Sequence, residues 1–205
     1  MKKALIIILV IIGLIAAIGV GYLASLDGKY KVSKSIDINA TPQQVAAVVA
    51  DFNTWPSWSP WVCLEPTAEV KISGQGNQIG SIMSWKGDMI GSGEMELLTI
   101  DTASSITQEV RFIEPFKSKS NTSFTFTPQE KGVTLKWDMT GEMPFLFRFF
   151  TKQMLPLIGN DFDRGLRMLK DYIEKGTVAS NVEIKGTEQF SGLTYVGKSE
   201  ICETA

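Results

Sequence analysis

The chain has 205 residues, of which 44% are hydrophobic and 20% charged, with a net charge of −2 and no histidine. This composition indicates a globular protein with one additional apolar segment, and its scattered basic residues argue against nucleic acid as a partner. Without histidine the commonest general base and metal ligand are missing, and Cys63 and Cys202 have no metal-ligand spacing. We therefore expect no metal site and no cofactor.

The N-terminus contains an uncharged apolar run from Ala4 to Leu26. At ~1.5 Å per residue, a helix over this run is about 34 Å long, enough to span a hydrocarbon core of ~30 Å. The run is longer than the apolar region of a cleaved signal peptide, and Ala24–Leu26 is a poor cleavage site. We predict a single-pass membrane anchor over residues 1–29, with residues 4–26 in the membrane. Lys2 and Lys3 favour a soluble domain on the extracytoplasmic side.

Alternating hydrophobic and polar residues in the middle of the chain predict strands with one buried face. Thr41-Pro42 predicts the start of a short helix, with Thr41 as its N-cap. Short turns that contain glycine favour antiparallel pairing of neighbouring strands. The predicted strands are 31–39, 69–73, 80–87, 91–101, 105–114, 119–127 and 132–142.

Three tryptophans, Trp55, Trp58 and Trp61, follow the short helix at three-residue intervals. Pro56 and Pro60 lie between them and exclude a continuous helix, so the chain must turn here. Such an aromatic turn either plugs the end of a hydrophobic core or closes the mouth of a small cavity. Taken alone, it favours the plug.

The C-terminal third contains two further apolar patterns. Residues 144–156 are crowded with Phe and Leu, which favours a short helix over one end of the sheet; the alternative is a segment that dips into the membrane surface. Residues 160–175 predict an amphipathic helix that ends at Gly176. In the tail, 182–185 and 193–197 are predicted to be extended, without an obvious partner strand.

Three segments, Asp51–Trp61, Gly132–Gly141 and Asp163–Lys170, occur in this order. Together they resemble the SRPBCC (START-like, helix-grip) superfamily, in its polyketide cyclase/dehydrase-type branch. This resemblance implies an α+β fold over residues 30–176, in which a curved antiparallel sheet wraps around a long C-terminal helix with a hydrophobic cavity between them. Leu193–Gly197 is similar to the first strand of gyrase-inhibitor-like effector-binding domains, so residues 177–205 are either an extension or the start of a truncated second domain.

The candidate ligand-binding residues come from the aromatic turn, the inner face of the sheet and the apolar face of the long helix. Gln108 is the clear polar residue among them, which describes a binding pocket better than an acid–base site. The alternative is that the same residues form a solid core. The candidates are Trp55, Trp58, Met83, Trp85, Met95, Leu97, Gln108, Val110, Phe112, Phe124, Phe126, Leu135, Trp137, Met139, Phe162, Leu166 and Leu169.

These patterns favour a membrane-anchored binding or carrier module for a hydrophobic small molecule or lipid, and we assign no catalytic residue. One alternative is a cyclase-, dehydrase- or hydrolase-like enzyme, which requires a carboxylate with a raised pKa inside the cavity. By strand parity, Glu94, Glu96 and Glu109 should instead face water. The other alternative is a ligand-sensing module, if the chain continues into an effector-binding domain. The sequence gives no information about protein partners.

Overall fold

The computed structural model describes residues 2–178, 188–190 and 193–195, and it shows an α+β fold built on a seven-stranded antiparallel sheet. The elements are α1 (Lys2–Ser25), β1 (Lys29–Ile38), α2 (Pro42–Val49), α3 (Trp55–Trp58), β2 (Glu69–Ser73), β3 (Ile82–Gly87), β4 (Gly91–Asp101), β5 (Ser105–Glu114), β6 (Ser118–Gln129), β7 (Gly132–Glu142), a 3₁₀ segment (Phe145–Phe150), α4 (Thr151–Lys175), β8 (Glu188–Phe190) and β9 (Leu193–Tyr195). The curved sheet and the long C-terminal helix confirm the predicted fold class.

The strands of the sheet follow the order β1-β7-β6-β5-β4-β3-β2. Each strand from β2 to β7 pairs with its neighbour in sequence, and β1 closes against β7. Alternate side chains point inward, as in β7, where Val133, Leu135, Trp137 and Met139 are all buried. The inner face is therefore apolar, as the period-two pattern predicted.

Helix α2 begins as its sequence predicts. The Thr41 side chain accepts a hydrogen bond from the Gln44 backbone N–H, and the Gln44 side chain accepts one from the Thr41 N–H. This capping box satisfies two backbone donors that the first turn would otherwise leave unpaired. Val45 and Val49 are fully buried and fix the helix on the sheet.

Helix α4 begins at Thr151, well before the predicted start at residue 160, and contains Pro156 in its second turn. Proline removes the hydrogen bond to the carbonyl of Lys152, but Lys152 is exposed, so water can reach that carbonyl. The prediction began the helix at residue 160 and so missed its first turns. The C-terminal end was predicted well, because Gly176 adopts a left-handed conformation, with φ of 76°, directly after the last helical residue.

Helix α1 is long and apolar enough over Leu5–Ser25 to span a membrane, and none of this span is buried against the rest of the protein. It contacts the 3₁₀ segment, which follows β7. Length and composition make α1 a candidate span, and the side of the membrane occupied by the sheet stays a prediction.

In the tail, the predicted extended residues Leu193–Tyr195 form β9, which pairs with β8 rather than lying unpaired. The other predicted segment, 182–185, lies outside the described residues. Residues 196 and 197, at the end of the effector-domain-like segment, lie outside them as well. The resemblance of the tail to a second domain stays a prediction.

Candidate functional site: an apolar cavity beneath the aromatic turn

An apolar cavity of about 70 Å³ lies between the aromatic turn and the inner face of strands β3 to β7. This volume is well below the ~300–1,000 Å³ of a typical small-molecule pocket. The cavity is lined by Trp55, Ser59, Trp61, Val62, Met83, Trp85, Ile90, Met95, Val110, Phe112, Thr122, Trp137 and Met139.

The structure divides the candidate ligand-binding residues into two groups. Those that line the cavity are Trp55, Met83, Trp85, Met95, Val110, Phe112, Trp137 and Met139. Those that are buried elsewhere in the interior are Trp58, Leu97, Gln108, Phe124, Phe126, Leu135, Phe162, Leu166 and Leu169. The second group includes every candidate from α4, so the cavity lies beside the contact between helix and sheet.

The contact between α4 and the sheet is filled by aromatic rings. The Phe162 ring stacks on Trp137 with their centroids 4.1 Å apart, and Phe124 stacks on the same tryptophan at 4.8 Å. Trp55 and Trp58 meet Trp137 edge-on at 6.3 and 6.2 Å. The aromatic turn therefore plugs this part of the core, as its sequence alone favoured.

Trp61 fits the other role considered for the aromatic turn, closure of a small cavity, because it lines the cavity and is half-buried. Its indole N–H donates to the Asp161 carboxylate at 3.2 Å, and its ring meets Trp137 and Phe162 edge-on at 5.7 and 6.1 Å. These contacts fix the ring at the border between the filled core and the cavity. The spacing of the three tryptophans was the signal that could have added Trp61 to the candidates.

Ser59, Val62, Ile90 and Thr122 also line the cavity and were not among the candidates. Ile90 and Val62 lie in turns, where strand periodicity gives no information about which side chain points inward. Thr122 is in β6, but a threonine at an inner position gives no distinct signal.

The polar group of Thr122 is satisfied within the protein. Its hydroxyl accepts a hydrogen bond from the Trp137 indole N–H and donates to the Asp138 carbonyl, both at 2.8 Å. The hydroxyl therefore has its own partners, and the wall presents mainly carbon and thioether sulfur. Such a wall favours apolar contacts with an occupant.

Gln108 is fully buried, and neither atom of its amide has a hydrogen-bond partner among the described residues. In the sheet it lies between Leu97 of β4 and Thr122 of β6. An unpaired buried amide costs about 1–3 kcal/mol. Gln108 is therefore the least satisfied polar side chain of the inner face, next to the cavity but outside its wall.

The carboxylates of β4 and β5 lie on the opposite face of the sheet. Glu94, Glu96 and Glu109 all accept hydrogen bonds from the Arg111 guanidinium. These bonds raise the pKa of Arg111 and lower the pKa of Glu109, so the charged forms of these two side chains are favoured. Strand parity placed these side chains correctly.

Glu65 is a buried acidic side chain beside the β3–β4 turn. Its carboxylate accepts backbone N–H bonds from Asp88, Met89 and Ile90 at 2.8, 2.9 and 3.0 Å, and the bond from Ile90 is the main cause of its lowered pKa. It thereby holds the β3–β4 turn, which brings Ile90 to the cavity. In the described part of the chain no carboxylate lines the cavity, so the acid–base chemistry of the enzyme alternative has no group there.

Gly93 allows the Trp85 ring to lie across β4 at the cavity. A Cβ at this position would lie 2.5 Å from the Trp85 ring and 2.7 Å from the Arg111 carbonyl oxygen. Phe112 meets the same ring edge-on at 6.2 Å. A side chain at position 93 would push Trp85 out of the cavity wall.

The family model described as polyketide cyclase/dehydrase and lipid transport matches residues 29–174. The chain belongs to this family. The family fold commonly binds hydrophobic ligands, in keeping with the apolar wall of the cavity. No curated protein matches the chain significantly.

Solved structures with the same fold share little sequence with this chain. A Thermobifida fusca protein is 16% identical with a TM-score of 0.55, covering 70% of this chain and 92% of its own. The Aha1 dimer protein of Colwellia psychrerythraea is 15% identical with a TM-score of 0.53, covering 72% and 98%. Protein CV1439 of Chromobacterium violaceum is 16% identical with a TM-score of 0.51, covering 70% and 96%. At these identities the likeness supports the fold alone.

Proposed function

We propose that this protein is a membrane-anchored binding or carrier module that takes a hydrophobic small molecule or lipid chain into the cavity beneath the aromatic turn. The observation that carries the proposal is the wall of this cavity, which is almost entirely apolar. Residues 1–29 would form the anchor, residues 30–176 the binding domain and residues 177–205 an extension.

The size of the cavity requires that its wall moves when a ligand binds. Met83, Met95 and Met139 come from three different strands and are each at most 4% exposed. Unbranched thioether side chains change rotamer at little cost and adapt to irregular ligands. We therefore expect the methionines to turn aside, so that an acyl chain or a small aromatic molecule enters a space larger than 70 Å³.

The test is a titration of the full-length protein in detergent with a fluorescent fatty acid. In Val110→Phe, a ring replaces a side chain of the cavity wall and fills the empty space. We expect this variant to weaken fatty-acid binding at least ~10-fold, because the ring occupies the space that the ligand would enter. The control is Val70→Phe, which adds the same ring at a half-buried position of β2 outside the cavity.

Thermal unfolding of both variants checks that each is folded. Equal affinities of wild type, Val110→Phe and Val70→Phe would place the ligand outside this cavity. A wild-type protein that binds neither the fatty acid nor an environment-sensitive apolar dye would remove the proposal.

A further inference from the structure

Most of the exposed large hydrophobic side chains outside α1 lie at one end of the sheet. α1 ends at Ser25 and β1 begins at Lys29, so this end is the one from which α1 emerges. Because the sheet is antiparallel, the same end holds the C-terminal end of β7, the β3–β4 turn and the β5–β6 turn. The exposed side chains at this end are Met89, Ile113, Phe145, Leu146, Phe147, Phe149 and Phe150.

The 3₁₀ segment is held to the protein along one side. Phe147 stacks on Phe116 of the β5–β6 turn with ring centroids 4.5 Å apart, and the Arg148 guanidinium donates to Glu142 at 2.7 Å. The other side faces outward, with Leu146 68% and Phe149 53% exposed, and the segment buries none of its residues. A contiguous apolar surface of this kind normally has a partner.

The position of α1 indicates what that partner is. α1 contacts the 3₁₀ segment, and just beside it the Met143 N–H donates to the Gly28 carbonyl at 2.9 Å. A helix that spans a bilayer brings its terminal turn to the headgroup layer. Side chains that surround this turn then lie at the same depth, where Phe and Leu insert ~5–10 Å into the boundary with the acyl chains.

The charges at this end are of both signs. Lys29, Lys117 and Lys152 are exposed there, and so are Asp27 and Asp88. A mixed set provides little net attraction to anionic headgroups. The surface therefore favours contact with a neutral bilayer through its apolar side chains.

Three of the half-buried residues in the cavity wall lie toward the same end of the sheet, and we take this end as the mouth of the cavity. Its wall residues Trp85, Ile90 and Phe112 are half-buried and lie near the ends of β3 and β5 or in the β3–β4 turn. Farther along the strands, Met95 and Val110 are only 4% and 3% exposed. The exposed apolar surface and the mouth of the cavity thus lie at the same end of the sheet.

We propose that the 3₁₀ segment and Met89, at the tip of the β3–β4 turn, insert into the interfacial layer of the bilayer that α1 spans, so that the cavity mouth faces the membrane. An apolar molecule then passes between bilayer and cavity without crossing bulk water. This inference rests on the proposed function in one respect, namely that α1 spans a membrane.

The test measures the depth of single fluorescent labels in the full-length protein, reconstituted into phosphatidylcholine vesicles that contain brominated acyl chains. Bimane is attached at Leu146→Cys or Phe149→Cys after both native cysteines are replaced by serine. The matched control is Ile79→Cys, which is 65% exposed in the β2–β3 turn at the opposite end of the sheet. Leu14→Cys, in the middle of α1, reports on the anchor itself.

We expect quenching at Leu146 and Phe149 to exceed that at Ile79 by at least about threefold, because bromine quenches only labels that enter the acyl region. Quenching at Leu14 without quenching at either 3₁₀ position would overturn the docking and leave the anchor intact. An unquenched Leu14 label would remove the anchor and the docking together. Fatty-acid binding in detergent tests the cavity independently of these quenching measurements.

A second measurement tests whether contact of the 3₁₀ segment with the bilayer speeds the transfer of a ligand into the protein. In Leu146→Ser/Phe149→Ser, the rate at which a fluorescent fatty acid moves from vesicle to protein should fall by about threefold or more, while equilibrium affinity in detergent stays unchanged. Ile79→Ser should change neither quantity. An unchanged transfer rate in the double variant would argue that the ligand arrives through water.

Discussion

The interior of this protein is filled in two different ways on the two sides of Trp137. Toward α4, the ring stacks on Phe162 at an interplanar angle of 11° and leaves no room for a ligand. Toward β3, β4 and β5, the wall includes the flexible or small side chains of Met83, Met95 and Val110, and a cavity of about 70 Å³ remains. One curved sheet therefore provides both a solid core and an incompletely filled one.

The difference shows that side-chain shape, rather than the fold alone, places the cavity. Flat rings stack face to face and fill the space beneath the helix. Methionine and valine beside a fixed tryptophan leave gaps that no neighbouring ring fills. Because methionine is flexible, the same region can change shape, whereas the stacked region resists change.

The largest effect that would test this comparison is expected from Trp137→Ala. Removal of a 1%-exposed ring at the centre of the stack should cost about 3–5 kcal/mol of unfolding free energy. Trp85→Ala, which truncates a half-buried ring at the cavity, should cost less than half as much and increase fatty-acid affinity by enlarging the cavity. Denaturant unfolding of both variants measures the difference, and equal losses would mean that the two sides are packed alike.

A smaller loss is expected from Gly165→Ala in α4. A Cβ at this position would lie 2.9 Å from the Pro60 ring and 3.0 Å from Trp137, so we expect overpacking to cost about 1–3 kcal/mol. Gly159→Ala in the same helix is the control, because its Cβ would meet only the flexible end of Lys34 at 3.4 Å. There the better helix propensity of alanine should stabilise the protein by up to ~1 kcal/mol. Chemical denaturation that shows the same sign for both would contradict the tight contact at Gly165.

Gln108→Met should increase stability by about 1 kcal/mol, because it removes an unpaired buried amide and keeps a side chain of similar length. The matched variant Gln108→Glu should be strongly destabilising, since it places a carboxylate where no partner is described. Thermal unfolding of the ligand-free protein provides the comparison. A loss of stability in Gln108→Met would indicate that the amide is paired in solution.

The smallest effect concerns the turn that carries Ile90. Three backbone N–H bonds lower the folded-state pKa of Glu65 below the ~4.3 expected in the unfolded chain. Its contribution to stability is therefore present above that unfolded value and is lost as the pH falls through the lowered folded value. The difference in unfolding midpoint between wild type and Glu65→Gln should shrink as the pH is lowered from 6 toward about 3. A difference that is constant with pH would mean that the ionised carboxylate does not stabilise the turn.

Much of the sheet was predictable from periodicity, because a strand with one buried face repeats every two residues. The predictions for β2, β4, β5 and β7 match the structure at both ends. The start of α4 at Thr151 was not predictable from the sequence, since a proline at position 156 is tolerated inside the helix only where water reaches the carbonyl that it leaves free. Local sequence cannot show that exposure.

The candidate site was predictable only as a set of inward-facing residues. Met95 and Leu97 have the same parity in β4 and both are buried, but only Met95 lines the cavity. Which of them borders empty space depends on the rings packed opposite, contributed by segments distant in sequence. Ile90 lies in a loop, and the Glu65 carboxylate, also in a loop, accepts a hydrogen bond from its backbone N–H. Loop residues of this kind leave no periodic pattern in the sequence.

The connection between α1 and β1 is short, and it limits how far the sheet can move away from α1. Only residues 26–28 separate the two elements, and a chain of that length reaches ~10 Å when fully extended. The hydrogen bond from Met143 to Gly28 shortens this reach further. With α1 in a bilayer, this connection is too short for the domain to reach a second membrane. A bound molecule would then return to the same bilayer or pass to a protein that binds at its surface.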